Sequence, residues 1–228
     1  MQSYLGTRLG RAACARRTFA LVHSAKRTVQ AADVTAFAQE VLRPQQRIVT
    51  AMAASEPRLF FNHLHQWLSD DKSLKGLTIY CANPNEAYDV LTDRKLTDSV
   101  NFMALFLTSA IRHHQSQMVS YMPQHLSAWS KAIHARGPID IFWGTCTPPQ
   151  SNGYVSLGPS CVYEADVMRK AKLVVLEVNP NLPYVHGSTV MPIDRADVVI
   201  EGSSHDLLTL PEGTFDSTDM QIAERVAK

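Results

Sequence analysis

Ile139-Asp140-Ile141-Phe142-Trp143 runs directly into Gly144-Thr145-Cys146-Thr147-Pro148-Pro149-Gln150-Ser151-Asn152-Gly153-Tyr154-Val155-Ser156-Leu157-Gly158. A helical stretch over residues 160–171 follows, and then Leu173-Val174-Val175-Leu176-Glu177-Val178-Asn179. Both flanking runs are short, rich in β-branched and aromatic residues and almost continuously apolar, as strands covered on both faces must be. Two such strands joined through a helix form a parallel βαβ unit, because parallel partners need a long crossover. The expected fold is therefore α/β, a Rossmann-like three-layer domain with a mostly parallel sheet.

The same pattern extends outward in both directions. Residues 47–52, 77–82 and 197–201 read as further buried strands, and 118–122, just before Pro123, as another. Between the first two lies a predicted helix over 55–68. Ser55 can cap it, Pro57 falls in its first turn, and Leu59, Phe60, Leu64, Trp67 and Leu68 recur on one face. Residues 124–134 repeat the logic with Leu126, Trp129 and Ile133, and 160–171 with Val162, Ala165 and Met168. Residues 202–217 are polar and rich in Gly, Ser and Pro, which predicts a surface linker. A last helix is expected to start at Ser217 or Thr218 and to carry Met220, Ile222, Ala223 and Val226, with no terminating Gly, Asn or Pro before Lys228.

In open α/β sheets ligands sit beyond the carboxyl ends of the strands, so the loop after Trp143 and the stretch 177–181 are where chemistry is expected. Gly153 and Gly158 permit close backbone approach, and amides at the following helix start could receive an anion; the same glycines also suit a simple tight turn. Glu177 interrupts an apolar run near a strand end. It reads either as a nucleophile or base, or as a hydrogen-bonded structural acid, and the second is favoured because no partner His or Lys is fixed nearby.

Composition bounds the rest. The 228 residues are 45% hydrophobic and 19% charged, the profile of a globular chain large enough to bury a core without disulfide or metal staples. Residues 1–32 hold Arg8, Arg11, Arg16, Arg17, Lys26 and Arg27 and no acid; the remainder carries 16 basic against 21 acidic residues. A basic excess confined to one end argues against nucleic-acid binding across the folded body. With Ser3, Thr7, Thr18, Ser24 and Thr28 among small apolar residues, 1–32 has the composition of a mitochondrial transit peptide, and a mitochondrial location is expected. The longest apolar run, 102–107, is too short to span a bilayer. Cys14, Cys81, Cys146 and Cys161 show no C-x-x-C spacing and read as free thiols.

Several sites are missing from the sequence. There is no G-x-G-x-x-G after a strand, no phosphate-binding G-x-x-x-x-G-K-[ST] and no G-x-S-x-G elbow. His63 and His65 lie two apart on a predicted helix and so point to different faces, and the adjacent His113 and His114 read as solvated, so no metal site is expected.

Residues 147–158, together with Ala171-Lys172-Leu173-Val174-Val175-Leu176-Glu177-Val178-Asn179-Pro180-Asn181-Leu182-Pro183, resemble the acetyl-CoA hydrolase/transferase family, which includes acetate and 4-hydroxybutyrate CoA-transferases. Tyr121-Met122-Pro123-Gln124-His125-Leu126-Ser127, similar to a Y-x-P-x-x-L-S element, and Asp197-Val198-Val199-Ile200-Glu201 extend the resemblance from about Ala32 onward. It implies an enzyme of two α/β halves with the active site between them. Residues 33–201 would form the first half, and 202–228 a linker and the opening helix of the second. The family nucleophile, a glutamate, belongs to that second half, so no catalytic residue is expected in this chain and Glu177 is not the nucleophile. Gln150 departs from the family's usual Asp.

The resemblance further implies ping-pong transfer of CoA from an acyl-CoA thioester to a small carboxylate such as acetate or succinate, through a glutamyl-CoA thioester, with hydrolysis when water accepts. CoA is then a substrate, with no bound cofactor. The expected substrate-binding residues are Ser156, Gly158 and Asn179, and the expected partners are a C-terminal domain or subunit and further copies in a homo-oligomer. The competing expectation is a non-catalytic acyl-CoA-binding or partner subunit.

Overall fold

The computed structural model describes residues 25–113, 118–209 and 212–227. Ten strands and six helices alternate along it: β1 (Thr28–Gln30), α1 (Val34–Val41), β2 (Arg47–Thr50), α2 (Arg58–Asp70), β3 (Leu77–Cys81), α3 (Asp89–Thr92), β4 (Val100–Ala104), β5 (Val119–Tyr121), α4 (Trp129–Ala135), β6 (Ile139–Cys146), β7 (Tyr154–Ser156), α5 (Glu164–Met168), β8 (Ala171–Val178), β9 (Val190–Pro192), β10 (Val198–Glu201) and α6 (Ser217–Val226). Eight strands form one sheet in the order β1-β10-β8-β6-β2-β3-β4-β5, with every pairing parallel. β7 and β9 make a separate antiparallel ribbon.

The order records how the chain is wound. From β2 it builds outward through β3, β4 and β5, then returns to lay β6 against the other side of β2 and builds the opposite way. β2 and β6 therefore flank the point where winding reverses, and their carboxyl ends open the crevice where open α/β sheets take ligands.

Both faces of the sheet are covered, which is why its strands read as apolar runs. On one face Trp143 of β6 meets Phe37 of α1 and Phe60 and Trp67 of α2, at ring-centroid distances of 5.8, 4.8 and 6.1 Å. Phe60, Leu64, Trp67 and Leu68 are buried, as the helical spacing required. Each such side chain stabilises the fold by about 1.5–3 kcal/mol. On the other face Trp129 and Ile133 of α4, with Tyr163 and Val167, join Phe142 in a second apolar cluster.

Several expectations need correction. β1 lies within the stretch assigned to a leader: Thr28, Val29 and Gln30 pair with Val199, Ile200 and Glu201, and Lys26 and Arg27 bridge to Asp197 and Glu40. The folded body thus extends upstream of Asp33, while residues 1–24 lie outside the described residues. β4 occupies part of what had registered only as an apolar run. The helix expected over 160–171 is regular only over Glu164–Met168, and Val162, placed on its inner face, is half-exposed. The helix over 124–134 opens as a 3-10 turn, Leu126–Ala128. α6 does begin at Ser217 as expected, and its cap is Asp216, whose carboxylate accepts from Thr218 N and Asp219 N, while Asp219 accepts from Asp216 N. No helix among the described residues is long and apolar enough to cross a membrane.

Candidate active site

The chain leaves β2 through Ala51-Met52-Ala53-Ala54-Ser55-Glu56-Pro57 before α2 begins. Ala53 has φ of 50°, a left-handed conformation that costs an alanine about 1–2 kcal/mol and persists only where surroundings impose it. Here they do so from several sides. Glu164 Oε1 accepts from Met52 N (3.2 Å), Ser160 Oγ from Ala54 N (3.2 Å), and Ala53 O from Asn85 Nδ2 (2.8 Å). Ser55 donates to Leu157 O (2.6 Å) and Thr145 to Glu56 O (3.2 Å). Ser55 is therefore a tie between loops and not the helix cap expected of it.

The cap comes from β8, more than a hundred residues further along the chain. Glu177 on β8 is fully buried, and its carboxyl accepts from Leu59 N (3.0 Å), Phe60 N (2.9 Å) and Trp143 Nε1 (3.0 Å). It occupies the amino end of α2, where orphan amides and the helix dipole favour an acid. Burial nevertheless dominates and pushes its pKa up to about 8 against the pull of those three donors. Glu164 does the same locally. Its Oε2 accepts from Val162 N (2.6 Å) and Tyr163 N (2.8 Å), so the amides expected to receive an anion at the next helix start already hold one.

Glu56 is the third buried acid of this edge. Tyr88 OH donates to one oxygen (2.5 Å) and Asn85 N to the other (3.0 Å), and burial raises its pKa to about 7. Unlike the other two it lines a recess of about 140 Å³, shared with Arg58, Asn85, His205 and Asp206. Arg58 pairs with Glu86. Burial and the nearby Arg58 hold His205 below its ordinary pKa, so its imidazole is neutral at pH 7, and its buried Nδ1 has no partner. His205 reaches the site because the start of the expected linker is docked: Asn179 Nδ2 and Asn181 Nδ2 both donate to His205 O (3.1 Å each).

The three residues expected to bind substrate are scaffold in this geometry. Ser156 is buried; its Oγ donates to Val185 O (2.9 Å) and accepts from Val185 N (3.1 Å) and Gly158 N (3.2 Å). Gly158 has φ of 75°, and a Cβ there would lie 2.8 Å from the Leu182 side chain, so its lack of a side chain serves packing. Asn179, also buried, accepts from Asn181 N (3.1 Å) through Oδ1. Ser156 and Gly158 are brought together, and Asn179 is spent on holding the His205 segment; none of the three lines the recess. At Gln150 the exposed turn is closed by Gly153 N donating to Gln150 O (2.8 Å) and Gln150 N to Tyr154 O (2.9 Å), with Asn152 Oδ1 accepting from Tyr154 N (3.1 Å).

The remaining candidates are placed elsewhere. His63 Nδ1 lies 2.9 Å from Leu59 O and its ring stacks on Trp67, whereas His65 pairs with Asp93 (3.0 Å). His113 is exposed and His114 lies outside the described residues. Cys81 and Cys146 are buried, the latter with its pKa pushed up to about 12 by desolvation, so both thiols are unreactive at neutral pH.

These features define a three-layer α/β domain with a small recess at the carboxyl edge of its parallel sheet. Residues 37–207 match the acetyl-CoA hydrolase/transferase N-terminal domain, and the chain belongs to that family. It is 25% identical over 154 residues to the succinyl-CoA:cyclohexane-1-carboxylate CoA transferase of Geobacter metallireducens, a match covering 66% of this chain and 33% of that one. It is 33% identical over 92 residues to the 4-hydroxybutyrate coenzyme A transferase of Clostridium kluyveri, covering 40% and 21%. The chain thus spans a third or less of these relatives' lengths. In fold it is similar to RipA from Yersinia pestis, with a TM-score of 0.77 at 19% identity, covering 89% of this chain and 48% of that one. It is also similar to a 4-hydroxybutyrate CoA-transferase of Porphyromonas gingivalis (TM-score 0.57, 19% identity, 83% and 42% covered).

Proposed function

We propose that this chain forms one wall of a CoA-transferring active site, moving CoA between an acyl-CoA thioester and a small carboxylate. The observation that carries the reading is the family match across residues 37–207, which takes in every strand of the large sheet but β1 and every residue lining the recess but Leu208. The attacking glutamate belongs to a second domain, which closes over that edge. Support for a docking partner comes from α6 and the segment before it, where Phe215, Met220, Ile222 and Val226 are exposed apolar residues. Thioester exchange needs an aligned carboxylate and oxyanion donors in one drained cleft, and a displacement of about 1 Å can cost about 100-fold. One wall is therefore inactive alone.

To test this, the purified chain is incubated with acetyl-CoA and acetate or succinate, alone and with the C-terminal domain of a family CoA transferase. Exchange is expected only in the mixture. Exchange by the lone chain above a heat-denatured control overturns the division of labour. CoA binding without exchange in either case converts the assignment to a non-catalytic binding subunit. The basic, acid-free start of the chain supports a mitochondrial destination; residues 1–24 fused to a fluorescent protein are expected to carry it into mitochondria, and diffuse fluorescence overturns that destination.

A further inference from the structure

We infer that the leader is cut so that the mature chain starts between Thr18 and Ala25, keeping β1 and the two cations that precede it. This rests on the mitochondrial reading above and deepens it, by locating the stretch in which a processing peptidase acts.

By composition the six cations of 1–32 are all alike. The fold divides them by partner. Lys26 Nζ lies 2.8 Å from Asp197 Oδ1, and the other oxygen of Asp197 accepts from Val174 N (2.9 Å), so the lysine is tied to the start of β10 and, through it, to β8. Arg27 makes two bonds to Glu40 of α1, at 2.6 and 2.7 Å, and its guanidinium sits 5.4 Å from the centre of the Phe37 ring. The Arg27 carbonyl accepts from Val199 N (2.9 Å). Both acids, Glu40 and Asp197, lie outside 1–32, which is why that stretch reads as unbalanced. Two of the six cations are parts of the fold, and Arg8, Arg11, Arg16 and Arg17 are left to carry the charge of a leader.

β1 sets the downstream limit. It covers β10 at one end of the eight-stranded sheet, and its Val29 is buried in the same apolar cluster as Phe37 and Ile200. Ala25, just before Lys26, is partly buried and packs against the cluster on the other face. A cut before Asp33, the boundary that composition suggests, removes all of these groups together. It unpairs Asp197 and Glu40 and leaves the backbone groups of β10 that now meet β1 without partners. The new edge would consist of Val198, Val199 and Ile200, an apolar β-branched template for pairing with other chains.

Charge sets the upstream limit. Transfer toward an electrically negative interior favours every positive charge, so a leader works best with all four arginines on its side of the cut. Arg17 is the last of them. Residues 18–24 contain no Arg, Lys, Asp or Glu, so a cut anywhere among them makes the same division.

The test imports the full 228-residue precursor into isolated, energised mitochondria and reads the intact mass and amino-terminal sequence of the protease-protected product. A first residue between Thr18 and Ala25 is expected. A product that starts upstream of Thr18 or downstream of Ala25 overturns the inference, as does a protected product of precursor length; in these cases the destination stands. A chain that stays outside overturns the destination and the cut with it. Replacing Arg8, Arg11, Arg16 and Arg17 by Gln is expected to slow import about tenfold or more without moving the melting temperature of the purified chain. Lys26→Gln with Arg27→Gln is expected to leave import within about twofold and to lower the melting temperature by about 2–4 °C. Import unmoved by the four arginines, or stopped by the Lys26 and Arg27 changes, overturns the division of the cations. The strand itself is tested without import: a chain begun at Asp33 is expected to melt about 10 °C or more below one begun at Ala25, or to be recovered as aggregate. Equal melting temperatures overturn the need to keep β1.

Discussion

Two loops leave neighbouring strands at the reversal point of the sheet, and they differ in kind. The loop after β6 carries two prolines and two glycines between Thr147 and Gly158, and reads as the place for chemistry. Yet its central polar groups are spent internally: Ser156 bonds to Val185 and Gly158, and Gly158 packs on Leu182. The loop after β2 is plain, Ala51 to Pro57, and it lines the recess. Glycine and proline mark where backbone must turn sharply, which is a statement about geometry. A ligand site needs polar groups left over once the geometry has been satisfied, and here the leftovers are on the plainer loop and its neighbours.

The contrast can be broken most forcefully at Glu177, which ties β6 to the helix that follows the β2 loop. Glu177→Ala leaves three buried N–H donors without an acceptor as well as a cavity, so unfolding in urea is expected to show a loss of about 4 kcal/mol or more. Glu177→Gln, keeping one acceptor oxygen, recovers part of it.

A second effect separates two of the buried acids by pH. Glu177 and Glu56 have folded-state pKa values raised to about 8 and about 7, above their unfolded value near 4.5. The folded state then holds protons that the unfolded chain releases. Their contribution to stability is complete below pH 4.5 and is lost as pH rises through about 7 and about 8. Urea midpoints measured from pH 5 to 8 are expected to fall by the equivalent of about 6 kcal/mol, the two groups taken together. Glu56→Gln is expected to flatten the lower part of that slope and Glu177→Gln the upper part. A midpoint that rises over this range refutes the assignment.

Smaller changes sharpen the claim that the glycine-rich loop is scaffold. Ser156→Ala is expected to cost about 2 kcal/mol through the buried groups it strands. Gly158→Ala is expected to cost about 1–2 kcal/mol, because alanine resists a positive φ and Leu182 must move. In both, binding of CoA to the folded chain is expected to stay unchanged. A selective loss of ligand affinity at unchanged stability would return these residues to the binding role first expected of them.

How far the sequence carried is explained by range of interaction. β2, β3, β6, β8 and β10 were legible because strands covered on both faces are continuous apolar runs of their own. β1 was hidden: only Val29 of its three residues is buried, and it sits inside a basic stretch that has its own compositional reading. The reading of Glu177 as a hydrogen-bonded acid was accessible, since an acid in an apolar run must find donors, but their identity was not, because Leu59 and Phe60 lie more than a hundred residues away. The recess was illegible for the same reason. Glu56, Asn85 and His205 come from the ends of β2, β3 and β10, and only the folded sheet makes them neighbours.

The pairing of β1 with β10 has a consequence for how the molecule is made. Thr28 meets Val199, so β1 has no neighbour in the sheet until β10 has emerged from the ribosome. Closing so long a loop is entropically slow, and contacts of this separation form late. Among the described strands, the seam between β1 and β10 is thus the last to close. Until it is drawn, the flank of β10 is an open edge, the moment in the protein's life when a chaperone has most to shield.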